Sequence, residues 1–155
     1  MDLRKAFFEI LLEMAKADKD IVCMVGDLGF SFCEQFQKEL PNQFINVGCI
    51  EQTMIGIATG MALGGKKPYV YSGSVFLLMR PYEQIRNLCY NNIGVKLCGT
   101  GASPFLGFSH NLEGSENEED LLKNLPNLKR HYPQSEKELK EIMFNKNNSP
   151  EFIRI

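Results

Sequence analysis

Apolar positions along the chain switch repeatedly between the period of a helix and that of a buried strand. After Asp2, a candidate N-cap, Phe7, Ile10, Leu11 and Met14 recur at three- and four-residue spacing and predict an amphipathic helix ending near Ala17. Asp20-Ile-Val-Cys-Met-Val-Gly26 is continuously apolar, the pattern of a strand covered on both faces in a parallel sheet. Phe32, Phe36 and Leu40 predict a short helix closed by Pro41, and Phe44-Ile-Asn-Val-Gly48 a second buried strand. A helix from Glu51 to Leu63, a strand over Pro68 to Tyr71, a helix from Pro81 through Tyr90 and a strand over Val95 to Cys98 follow. Ser115 with Glu118 and Ser135 with Glu138 are capping-box patterns ahead of two more helices, and Glu151 to Ile155 is a last strand. Such alternation predicts an α/β fold: a doubly wound, mainly parallel six-stranded sheet with helices on both faces, as a single domain over residues 1–155.

The helix from Glu51 to Leu63 carries Gly56 and Gly60, each costing about 1 kcal/mol relative to alanine. Their four-residue spacing predicts close packing against another backbone, so this helix should be buried or at an interface.

Composition narrows the function classes. The 155 residues are 44% apolar and 23% charged, as in ordinary globular domains. A formal net charge of −2, without a basic face, argues against nucleic acid and against a polybasic membrane anchor. No apolar run reaches the roughly 20 residues that span a bilayer, which makes the cytoplasm the expected compartment. Five cysteines without Cys-x-x-Cys spacing are expected to be buried, reduced thiols, and no metal site is expected.

A doubly wound sheet binds ligands beyond the carboxyl ends of its strands. The strand exits here are Gly26-Asp-Leu-Gly29, Gly48-Cys-Ile-Glu51, Ser72 to Arg80, and Gly99 to Gly107. Gly99-x-Gly101 is no dinucleotide fingerprint, because Pro104 stands where the third glycine belongs. Taken alone, Glu51 reads as a carboxylate placed favourably at a helix start.

Asn46-Val-Gly-Cys-Ile-Glu-Gln-Thr-Met-Ile-Gly-Ile-Ala-Thr-Gly-Met-Ala-Leu-Gly64, then Lys67-Pro-Tyr-Val70 and Arg80-Pro-Tyr-Glu-Gln-Ile-Arg86, say more. Together they closely resemble the pyrimidine-domain signature of transketolases and related thiamine diphosphate enzymes, and the similarity continues through Leu125-Pro-Asn-Leu128 to the last strand. The resemblance implies that Glu51 hydrogen-bonds the first ring nitrogen of the cofactor's aminopyrimidine, favouring the imino tautomer that takes the thiazolium proton. It implies that Phe76 stacks on the pyrimidine, that Arg80 and Tyr82 line its edge, that Asp27 approaches the cofactor, and that His110 contacts substrate. His131 reads as structural.

Two departures stand out. Ser72-Gly-Ser74 occupies a place where transketolases often carry a further phenylalanine, and the spacing between His110 and Glu118-Glu-Asp120 is longer. The Gly-Asp-Gly…Asn motif that holds the diphosphate through Mg2+ or Ca2+ belongs to the family's other domain, and this chain has no such motif: Gly26-Asp27 is followed by Leu28. The resemblance therefore implies a separate diphosphate-binding partner chain, two copies of each chain, and transfer of a two-carbon ketol unit between sugar-like substrates. The alternatives are the pyrimidine subunit of a split 2-oxoacid decarboxylase and a catalytically silent interaction domain.

Overall fold

The computed structural model describes residues 2–101, 117–145 and 147–155. Its strands are β1 (Ile21–Val25), β2 (Phe44–Asn46), β3 (Lys67–Gly73), β4 (Lys96–Thr100), β5 (Lys129–His131) and β6 (Glu151–Arg154), with helices α1 (Arg4–Ala17), α2 (Glu34–Glu39), α3 (Glu51–Leu63), α4 (Ser74–Met79), α5 (Tyr82–Tyr90), α6 (Glu118–Leu122) and α7 (Glu136–Phe144). All strand pairings are parallel, in the order β2-β1-β3-β4-β6-β5.

Strand periodicity splits the apolar side chains into two cores. Ile21, Cys23, Val25, Tyr69, Tyr71, Cys98 and Ile153 face α1, α2 and α7. Val22, Met24, Val70, Leu97 and Phe152 face the other side, packed by Met54, Ile55 and Ala58 of α3 and by Ile85 and Leu88 of α5. β1 is buried at all five positions because both faces are covered, which is why its sequence does not alternate.

Several expectations need correction. β2 is only half-buried: it is an edge strand, paired with β1 alone. The N-cap of α1 is Leu3, although Asp2 Oδ1 still accepts the Arg4 backbone N–H at 3.1 Å. Asn117 caps α6, its side chain accepting from Asp120 N at 2.8 Å, whereas Ser115 lies outside the described residues. Ser135 does cap α7, accepting from Glu138 N at 3.1 Å. Four cysteines are buried free thiols, and Cys49 is exposed. Burial pushes the Cys89 thiol up to about 12, so at neutral pH it is an inert core group.

The closest approach in the sheet is at Gly99, paired with Ser72 across β3 and β4. A Cβ there would lie 2.5 Å from Ser74 Oγ and 2.9 Å from the Phe152 ring. Gly99→Ala should therefore destabilise the chain by about 1–3 kcal/mol through overpacking. Gly56→Ala should have the opposite sign: a Cβ at Gly56 meets nothing within 4 Å among the described residues, so the isolated chain should gain about 1 kcal/mol of helix propensity. Urea unfolding of both variants measures the pair, and equal signs would contradict the packing described.

Candidate active site

β1 has β2 on one side and β3 on the other, so the chain reverses its direction of winding there. The crossovers leaving the carboxyl ends of these strands diverge and open a crevice. Asp27 follows β1, Glu51 follows β2, and Phe76 and Arg80 follow β3.

Asn46 fixes the geometry of this edge. Its Oδ1 accepts from Asp27 N at 3.1 Å and from Gly48 N at 3.0 Å, while its Nδ2 donates to Asp27 Oδ1 at 3.2 Å. One side chain thus ties the exit of β1 to the exit of β2. Gly48 has a φ of 76°, a left-handed conformation that explains a glycine where nothing crowds its Cβ. The turn delivers Glu51 as the first residue of α3, on the positive end of the helix dipole.

Glu51 is only 2% exposed, and buried carboxylates must be paired. Arg80 does this: its Nη1 donates to Glu51 Oε1 and Oε2, each at 2.9 Å, while 44% of the Arg80 side chain remains exposed. The same guanidinium lies over the Phe76 ring, with Cζ 4.0 Å from the centroid. Beneath that ring is Gly73, whose absent Cβ would sit 3.3 Å from Phe76 Cδ2. Glycine at 73 lets the phenylalanine lie close to the strand end.

The structure therefore joins Glu51, Arg80 and Phe76 in one chain of contacts. Asp27 is tied through Asn46 to the Gly48 turn that precedes Glu51, and not to these three side chains. Tyr82 is engaged elsewhere: its hydroxyl donates to the Leu121 carbonyl at 3.0 Å and ties α5 to α6. His110 lies outside the described residues. Asn46 escaped the sequence reading as a positioning residue, although Asn-x-Gly ahead of a helix start is a legible turn signal. A cleft of about 1200 Å³ opens at the other, amino end of the strands, but its Lys66 and Lys67 are paired with Asp20 and Asp18, and none of the expected site residues line it.

Residues 1–152 match the family described as transketolase, pyrimidine binding domain. The chain belongs to this family. As a pyrimidine-binding domain it is 40% identical over 106 residues to an apulose-4-phosphate transketolase subunit of Phocaeicola vulgatus, covering 67% of this chain and 34% of that protein. It is 31% identical over 157 residues to the protein of the same description from Actinobacillus succinogenes, covering 99% of this chain and 50% of that one. A solved structure described as a split-gene transketolase, inactive β4 tetramer, superposes with a TM-score of 0.84 at 32% identity, over 97% of this chain and 50% of that chain. The chain thus spans about half the length of these relatives, or less.

The pyrimidine-binding domain buries two further carboxyls, Glu151 and Glu118, of which Glu118 was read from the sequence as a capping residue. Glu118 is 5% exposed, and its Oε1, like the hydroxyls of Ser72 and Ser74, has no partner at hydrogen-bonding geometry among the described residues. Burial raises the Glu118 carboxyl above its ordinary 4.5; the neighbouring Ser74 hydroxyl and Arg154, whose Nε is 3.7 Å away, oppose that shift without cancelling it. The fold favours the protonated acid, so the stability this group contributes is full below 4.5 and is lost as pH rises through the folded value. Glu118→Gln keeps the neutral shape and should gain on the wild type as pH is raised from 4.5 to neutrality in denaturant titrations. A difference that stays flat with pH would show that the carboxyl is not held neutral.

Proposed function

We propose that this domain supplies the pyrimidine-binding half of a heteromeric, thiamine diphosphate-dependent transferase that moves a two-carbon ketol unit between sugar-like substrates. The observation carrying this is the buried Glu51 carboxylate beside a slot on the Phe76 ring face that the Arg80 guanidinium fills, at the switch point of a parallel sheet. The Arg80 guanidinium, itself a flat, nitrogen-bearing group, fits this slot on the phenylalanine face within hydrogen-bonding reach of Glu51, which supports the reading that an aminopyrimidine of the same character binds there.

When bound, the cofactor supplies the nucleophilic carbon and the electron sink of the reaction. The chain's own residues orient and protonate. Glu51 would hold a ring nitrogen of the aminopyrimidine and share a proton with it, and its burial would keep water from competing for that hydrogen bond. Phe76 sets the plane of the ring by stacking. Arg80, Tyr82 and Asp27 border the cofactor in this proposal, and His110 contacts substrate.

A separately encoded partner completes the site by holding the diphosphate and its Mg2+ or Ca2+, in an assembly of two copies of each chain. Support comes from the relatives named as transketolase subunits, from the split-gene structure, and from α3. That helix turns Gly56, Ile57, Gly60 and Leu63 outward, and no described residue lies within 4 Å of a Cβ at either glycine. A glycine-paved apolar face of this kind suits a backbone packed closely from another protein chain. No helix among the described residues is long and apolar enough to cross a membrane, and we place the complex in the cytoplasm.

The isolated chain should bind thiamine diphosphate weakly in calorimetric titration, since it grips one end only; tight, metal-dependent binding without a partner would contradict the split-site proposal. In the assembled complex, Glu51→Gln keeps the size and the hydrogen bond but removes the exchangeable acid. Cofactor affinity should change little, while deuterium exchange at the thiazolium carbon, followed by NMR, should slow by about 10²–10⁴-fold, with turnover falling alongside. Normal binding with a wild-type exchange rate would return Glu51 to the role of a helix-start carboxylate.

A further inference from the structure

Glu51 and Phe76 are already engaged by a side chain of their own chain. Arg80 Nη1 bridges both Glu51 oxygens at 2.9 Å, and the guanidinium covers the Phe76 ring at 4.0 Å. These are the two contacts, a hydrogen bond to Glu51 and a stack on Phe76, that the proposed function gives to the aminopyrimidine. One ring face at van der Waals separation admits one planar group at a time.

We propose that Arg80 is a placeholder for the pyrimidine: its guanidinium fills the ring's position in the unloaded chain, keeps the buried Glu51 paired, and swings out when the cofactor enters. This rests on the pyrimidine-site reading above, and it replaces the role of Arg80 as an edge contact with the opposite one.

Three features favour a placeholder over a fixed ligand. A carboxylate 2% exposed is costly when unpaired, and Arg80 is its ion-pair partner among the described residues, so an empty slot is the least stable arrangement. The contact is built to be broken, because a single nitrogen bridges the two oxygens instead of the two-nitrogen fork of the strongest arginine–carboxylate pairs. Finally, Arg80 has somewhere to go. It caps the carboxyl end of the six-residue α4 with ordinary helical backbone angles, and 44% of its side chain is exposed, so leaving the slot requires side-chain rotation and no change of fold.

The two roles differ in sign. A cofactor ligand strengthens pyrimidine binding; a placeholder weakens it, by the fraction of time it holds the slot shut. If the slot is open about a tenth of the time, removing Arg80 tightens pyrimidine binding roughly tenfold.

The full chain, carbon-13 labelled at Phe and Glu, can be titrated with 4-amino-5-hydroxymethyl-2-methylpyrimidine while the Phe76 ring and Glu51 carboxyl signals are followed by NMR. This probe has no diphosphate, so it needs neither metal nor partner. Arg80→Ala should bind it about tenfold more tightly than wild type, and Arg80→Gln, which keeps a flat but neutral group, should fall between them. Free guanidinium at low millimolar concentration should refill the vacated slot in Arg80→Ala and compete with the probe, but should leave wild-type binding unchanged against a sodium chloride control. Equal or weaker binding in both variants overturns the placeholder while leaving the pyrimidine site standing. Absence of any probe-induced shift at Phe76 and Glu51, in wild type and variants alike, overturns the pyrimidine-site reading and this inference with it. The two variants guard against misfolding in either one, and retention of the backbone amide spectrum shows that each is folded.

Discussion

A carboxylate taken almost wholly out of water is the constraint around which the carboxyl edge of this sheet is arranged. Water would solvate Glu51 at no structural cost, but once α3 begins beneath the loops of β1 and β3 the charge must find its partner within the protein. The helix dipole supplies part of that compensation and Arg80 the rest. Asn46 then has to hold the turn that brings Glu51 to this place, and it does so by joining the exits of β1 and β2 through three hydrogen bonds. The turn, the ion pair and the stacking phenylalanine are consequences of one buried charge.

Much of the architecture is legible in the residues. The uninterrupted apolar run of β1 announces a strand covered on both faces, and α3 starts and ends where Glu51 and Gly64 predict. What escaped has physical reasons. α4 is an apolar six-residue helix with no capping side chain and follows directly from β3, so its Val75-Phe-Leu-Leu78 run is as compatible with a longer strand as with a helix. β5 is three residues, Lys129-Arg-His131, at the other edge of the sheet, where one neighbour and solvent replace the apolar surroundings that mark a strand in sequence. At the site, Glu51 and Phe76 were visible only through a resemblance. The Arg80 bridge between them depends on side-chain placement 29 residues apart and has no periodic signature.

The outward face of α3 and the slot at its start belong together. Glu51 opens the helix, and Gly56, Ile57, Gly60 and Leu63 follow on the side that faces away from the sheet. A backbone packed on the two glycines would come to lie along the same helix whose first residue faces the cofactor in the proposed function. Assembly and completion of the site would then be a single event, and the helix-propensity cost of two glycines becomes intelligible as the condition for close approach.

Phe76 and the Arg80 guanidinium that covers it differ in how firmly they are held. Phe76 is fixed from below: Gly73 lies against its ring, and α4 is seated so low on the sheet that Ser74 occupies the space a side chain at Gly99 would need. Moving the phenylalanine means moving a helix packed on β3 and β4. Arg80 sits past the last turn of that helix, half in solvent, held by one nitrogen and a ring face. A firmly seated aromatic ring beneath a half-exposed cation is the arrangement expected of a site that must present a preformed stacking surface yet keep a buried acid paired until its ligand arrives.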